Sequence, residues 1–190
     1  MNVTVFLGST LGNDKIYAEE VVKIGKWIAK NGHTLVFGGS REGLMEKLAV
    51  TVMQQGASAI GVQTKYLNKK YGAVENLTTL ELVDKMAERI TRMIELGDMF
   101  IIFPGGVGTL EEAAQVLSRN KLGIIGLKHI AFYNLNGFYD GFKKYLIGMD
   151  KMGFGDEKSI KVTHFIKSIQ EVEDIANIVL QDIDNKKQFA

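Results

Sequence analysis

"FPGGVGTLEE", residues 103–112, joins the chain's only proline to three glycines in the next four positions, then to a threonine and two adjacent glutamates. The residues before it, "DMFIIFP" (98–104), are continuously apolar from 99 to 103, the pattern of a strand buried on both faces. Pro104 has no N–H for a ladder and ends that strand. Gly105, Gly106 and Gly108 are expected to take backbone conformations closed to other residues and to let a ligand approach the main chain closely. Thr109 is placed to cap a helix over 109–121. The free amides of that first turn, with the helix dipole, make an anion site, and a phosphate is its natural guest.

Outward from this turn the pattern repeats. "VTVFLG" (3–8), "TLVFGG" (34–39), "SAIGV" (58–62), "TTLELV" (78–83), "KHIAFYN" (128–134) and "KVTHF" (161–165) read as strands, and 16–30, 43–55, 84–96, 137–151 and 168–182 as helices. Gly32, Gly56, Gly97 and Gly123 follow helical runs, where a left-handed closing residue belongs. The alternation predicts one α/β domain over 1–190, with a mostly parallel sheet and right-handed crossovers. The closing "DNKKQFA" (184–190) is expected to fray. Ligands of such sheets bind at the carboxyl ends of strands. Two further glycine turns fall there, "GSTLG" (8–12) and "GGSREG" (38–43), so a shared phosphate or nucleotide cleft is expected.

The remaining composition excludes more than it suggests. A net charge of +1 gives no field for nucleic acid or a membrane surface. The absence of cysteine removes disulfides, zinc–thiolate sites and thiol nucleophiles together. His33, His129 and His164 share no helical spacing, so no metal site is expected. "MNVTVFLGST" begins a strand and does not resemble a signal peptide, and no apolar run approaches bilayer length, so a cytoplasmic protein is expected. The glycine turn lacks a Gly-Lys-Ser/Thr ending, which disfavours a P-loop nucleotidase.

The two acids allow two readings. Thr109-Leu-Glu-Glu112 has the spacing of a capping box, in which Glu112 is structural. A carboxylate beside an anion site also costs electrostatic energy unless a cation or a reaction accompanies it, which makes Glu112 a functional candidate. A cation is available upstream in "DKMAERITRM" (84–93). Arg92 has Glu88 at i−4, an ordinary surface pair. Arg89 has no acid at helical spacing on its own helix, so its partner is either solvent, another element or a ligand.

Four ordered blocks resemble the LONELY GUY (LOG) family of phosphoribohydrolases, proteins formerly labelled lysine decarboxylases. "PGGVGTLEE" is similar to that family's PGGxGTxxE signature, "FLGSTLGN" to its opening FxGSxxG, "GGSREGLM" to its GGGxxGLMG and "MAERITRM" to its MxxRKxxM. "NLNGFYD" (134–140) resembles the block that follows the signature helix. The resemblance implies a doubly wound, Rossmann-like fold assembled as homodimers or multiples of dimers. It implies hydrolysis of the N-glycosidic bond of adenosine-type or cytokinin-type nucleoside 5′-monophosphates, giving free base and ribose 5-phosphate. The catalytic pair it implies is Arg89 and Glu112. Substrate-binding residues it implies are Gly105 and Gly106 through Val107, Gly108, Thr109, Leu110 and Glu111, with Ser118 and the turn Gly38, Gly39 and Ser40. The chain departs from the pattern at Ser40, Glu46, Ala87, Ile90 and Arg119, and the family's Ile-Pro is missing around Gln63.

In the chemistry this implies, the Gly106–Thr109 amides anchor the 5′-phosphate and Glu112 faces the cation that develops at C1′, with no metal or cofactor required. The rival is a nucleotide-binding or sensing protein of the same fold that has kept the ligand and lost the reaction.

Overall fold

The computed structural model describes residues 1–188; Phe189 and Ala190 lie outside the described residues. Seven strands are laid down in the order β1 (Asn2–Phe6), β2 (Thr34–Phe37), β3 (Ala59–Thr64), β4 (Thr79–Val83), β5 (Met99–Ile102), β6 (Ile130–Tyr133) and β7 (Thr163–Ile166). In space they run β4-β3-β2-β1-β5-β6-β7, and every neighbouring pair is parallel. Winding proceeds outward from β1 to β4, then returns to the other side of β1 at β5. The strand order therefore reverses between β1 and β5, and a crevice opens at their carboxyl ends.

Helices α1 (Lys15–Lys30), α2 (Gly43–Gln54) and α8 (Ile169–Gln188) cover one face of the sheet; α4 (Met86–Leu96), α5 (Val107–Lys121) and α6 (Asp140–Lys151) cover the other. The apolar runs of β1 and β5 follow from this two-sided cover. Val3, Val5 and Leu7 pack under the first layer with Met99, Ile101 and Phe103, whereas Phe6 packs under the second with Phe100 and Ile102. All are at most 1% exposed, so neither face tolerates a polar alternation.

All seven expected strands form, but several local expectations fail. Two short helices join the expected set, α3 (Lys65–Tyr71) and α7 (Glu157–Lys161). Of the helix-closing glycines, Gly32, Gly56 and Gly123 are left-handed, but Gly97 is extended at φ −77°. It is glycine for space, because a Cβ there would meet the Thr4 hydroxyl and the Phe100 ring. Residues 184–188, expected to fray, continue α8. His129 and His164, remote in sequence, meet across β6 and β7 with Nδ1 of one 3.0 Å from Nε2 of the other.

Candidate active site

Three glycine turns converge at the carboxyl edge of the sheet. The turn after β1 is tied to the turn after β5 by Gly8 N–H donating to the Pro104 carbonyl at 3.2 Å. The β5 turn is also braced from below by the "NLNGFYD" block. The Asn134 amide donates to Asp140 and accepts from the Tyr139 N–H, each at 2.7 Å, and the Tyr139 hydroxyl donates to the Phe103 carbonyl at 2.9 Å. That block is therefore a strut for the loop that follows Phe103.

The glycines of the turn do not adopt the conformations expected of them. None of Gly105, Gly106 and Gly108 has a positive φ. Gly105 is there for packing, since a Cβ would press on Gly8 N and the Thr109 side chain. At Gly106 and Gly108 a Cβ would meet no protein atom within 4 Å. Those two positions leave the backbone bare towards open space, with room for a ligand to approach it.

The helix also starts earlier than its sequence suggests. Gly106 is the N-cap of α5, and no side chain caps it. Thr109 and Glu112 lie inside the helix, so the capping box does not exist. The first intrahelical bond runs from Leu110 N–H to the Gly106 carbonyl at 3.1 Å. The N–H groups of Val107, Gly108 and Thr109 precede it and have no acceptor within the helix. With no acidic residue in the first turn, the positive end of the dipole is unopposed there.

Behind this turn lies a cavity of about 430 Å³, lined by the Gly8–Ser9 turn, Gly38, Ser40, Gly106, Val107, Gly108, Thr109, Glu111 and the pair Arg89–Glu112. Both members of the pair are 4% exposed. Arg89 reaches in from α4. Its Nη1 donates to Glu112 Oε1 at 2.8 Å and its Nε to the Val62 carbonyl at 3.0 Å. Nη2 and Glu112 Oε2 have no hydrogen-bond partner among the described residues. Burial pushes the Glu112 carboxyl above its usual range, and the Arg89 guanidinium opposes that shift. Arg89 thus finds its acid on another element, one of the alternatives left by the sequence.

The Arg92 pairing is different from the one expected. Its guanidinium is held by Glu81 on β4, at 2.7 and 3.1 Å. Glu88 instead accepts from the N–H groups of Asp84 and Lys85 and caps α4.

Other predicted residues scatter. Gly39, at φ +77°, packs against Gly61 and Gln63 beneath the cavity and does not line it. Gly105 lines a smaller neighbouring hollow with Thr10, Tyr17 and Phe138. Leu110 is 45% exposed and outside the cavity wall. Ser118 is exposed and lines a separate apolar hollow between α5, α6 and α7. Sequence reasoning missed Met45, Gln63, Leu67, Tyr71 and Met86, all on the cavity wall. A polar residue at the carboxyl end of an apolar strand was the available signal for Gln63.

The fold and its site define a doubly wound, Rossmann-like α/β protein with a buried arginine–glutamate pair beside a glycine turn that opens a helix. A family model described as "Possible lysine decarboxylase" matches residues 45–176. The cytokinin riboside 5′-monophosphate phosphoribohydrolase of Rhodococcoides fascians is 37% identical over 146 residues, covering 76% of this chain and 73% of that protein. The cytokinin riboside 5′-monophosphate phosphoribohydrolase LOG of Oryza sativa subsp. japonica is 34% identical over 160 residues, covering 84% of this chain and 66% of that protein. The chain belongs to the LOG family. It spans 61% to 66% of the length of three of the rice relatives it matches. Among solved structures, the molybdenum cofactor carrier protein of Chlamydomonas reinhardtii shares the fold, with a TM-score of 0.71 at 16% identity over 95% of this chain and 98% of that one.

Proposed function

We propose that this protein is a phosphoribohydrolase that cleaves the N-glycosidic bond of purine nucleoside 5′-monophosphates, of the adenosine or cytokinin type. The observation that carries the reading is the 2.8 Å Arg89–Glu112 pair, buried in the wall of the cavity that the α5 amino terminus opens into. Its relatives are named for this reaction on cytokinin riboside 5′-monophosphates.

The 5′-phosphate binds the bare N–H groups of Val107, Gly108 and Thr109, with Gly106 and Gly108 allowing close approach. That anchor sets the ribose over Glu112, five residues further along α5 than Val107. As the C1′–N bond breaks, its electron pair leaves with the base and C1′ gains oxocarbenium character. The Glu112 carboxylate faces that charge, and its free Oε2 orients the water that attacks C1′ and takes its proton, which ends on the departed base nitrogen and restores the carboxylate. Arg89 keeps Glu112 ionised in a buried setting that disfavours the charge, and its unused Nη2 is available to a ribose or phosphate oxygen.

We infer the assembly to be a homodimer or a multiple of it. Val107, 87% exposed at the cavity, and Leu110, 45% exposed outside its wall, are apolar side chains at the start of α5 that a second copy would cover. No described helix is long and apolar enough to cross a membrane, and a phosphorylated substrate fits a cytoplasmic location.

The test is phosphate dependence. AMP should be cleaved far faster than adenosine, because the phosphate contributes remote binding energy that positions the bond. Equal rates on the two would remove the role given to the α5 amino terminus.

A further inference from the structure

Gln63 lies at the carboxyl end of β3, is 1% exposed and lines the cavity. One contact fixes its amide. Nε2 donates to the Gly72 carbonyl at 3.2 Å. The flipped amide would set two oxygens against each other, so Oε1 must lie on the other side. There it has no donor among the described residues. Among the described residues one other side-chain atom that is itself closed to solvent shares that condition, Trp27 Nε1, which is in the core under α1. Buried acceptors without a donor are rare, and one in the wall of a ligand cavity points to a donor on the ligand.

The position along the cavity says which part of the ligand. The α5 turn follows β5, and Gln63 ends β3. Strands β5, β1, β2 and β3 are consecutive neighbours. Three strand spacings separate them, about 14 Å. A nucleotide whose phosphate sits at the α5 turn and whose C1′ lies by Glu112 extends its base towards β3. Leu67, Tyr71 and Met86 supply apolar walls there. Access of a ring edge to Oε1 requires a shift of the 7-residue α3, which carries Leu67 and Tyr71 and has no fully buried side chain.

We propose that Gln63 is a specificity-determining residue, whose Oε1 accepts a hydrogen bond from the exocyclic amino group of the base. The proposal rests on the nucleotide reading of the site. A 6-aminopurine satisfies the orphaned oxygen, and an N6-alkylated base still carries one N–H to do so. A 6-oxopurine sets a second acceptor against it. Because Oε1 is closed to bulk water, solvent does not relieve the mismatch, and such sites discriminate strongly.

The experiment measures dissociation constants of AMP and IMP by calorimetry, and base release from both, for the wild type and Gln63→Leu. The wild type should favour AMP by at least about tenfold, and Gln63→Leu should bring the two within about twofold through weaker AMP binding. An unchanged preference in a folded Gln63→Leu, or no preference in the wild type, overturns the proposal. Should Gln63→Leu not fold, the wild type decides with N6-methyl-AMP and N6,N6-dimethyl-AMP. Only the second, which has no N–H, should bind at least about tenfold more weakly than AMP, and equal binding of the two overturns the proposal. Selective binding without base release contradicts the hydrolase reading and leaves Gln63 its role; base release without selectivity does the reverse; no binding of either nucleotide overturns both.

Discussion

Gly38 and Arg89 occupy mutually exclusive space. A Cβ on Gly38 would overlap Arg89 Nη2 and come within 3.2 Å of both Arg89 Cζ and Met45 Sδ. The turn after β2 is bare at that point so that the guanidinium can pass it closely and reach Glu112.

Gly38→Ala should therefore fold, since what it displaces is the far end of a flexible side chain. Arg89 would move off Glu112. Displacements of that size at a reacting centre cost about a hundredfold in rate, and kcat for AMP should fall by that order with KM little changed. Gly106→Ala is the contrast, because a Cβ there meets no protein atom. Its stability should stay within about 0.5 kcal/mol of the wild type, and the loss should appear in KM. Steady-state kinetics on both variants check the split.

The buried pair should respond asymmetrically to losing either partner. Glu112→Gln strands an arginine that cannot deprotonate, and should cost about 3 kcal/mol in urea unfolding at neutral pH. In Arg89→Met the carboxyl can take up a proton instead. Burial already holds it above its ordinary value with Arg89 in place, and removing Arg89 raises it further. A carboxyl raised in the folded state favours folding at low pH and loses that contribution as pH rises through its folded pKa. Arg89→Met should thus be nearly as stable as the wild type in acid and fall behind it towards pH 8. A deficit independent of pH would show that Glu112 does not titrate there.

Arg92 is the control. It is a half-exposed arginine paired with Glu81 and, at 3.6 Å, with Glu95. Exposed pairs contribute about 0.2–1 kcal/mol. Arg92→Ala should lose no more than that and keep its turnover, as urea melts and an AMP assay will show. Arg92→Ala abolishing turnover while Arg89→Met does not would invert the assignment.

The strands were readable because a two-sided sheet demands unbroken apolar runs, and 3–7 and 99–103 supply them. The two acids were not readable to the same depth. Thr109 and Glu112 have capping-box spacing, but the helix begins at Val107 because Gly106 serves as N-cap with no side chain. Local spacing cannot register that choice. Helix α3, "KYLNKKY", was invisible because it buries nothing and so carries no amphipathic period. The sequence offers Glu88 to Arg92 because it shows neighbours along a helix, not the Glu81 that β4 brings alongside. Arg89 is legible by elimination, because no acid on its own helix lies three or four residues away. Gln63 depends on Gly72, whose carbonyl engages one end of the amide and leaves the other free, and no one-dimensional pattern encodes that.

The most direct measurement is chromatography of the wild-type protein incubated with AMP. Adenine and ribose 5-phosphate should accumulate in equal amounts, and Glu112→Gln, shown by circular dichroism to be folded, should bind AMP while releasing base at least about a hundredfold more slowly. Saturable AMP binding by the wild type with no free adenine would contradict the hydrolase reading and leave a nucleotide-binding protein in its place.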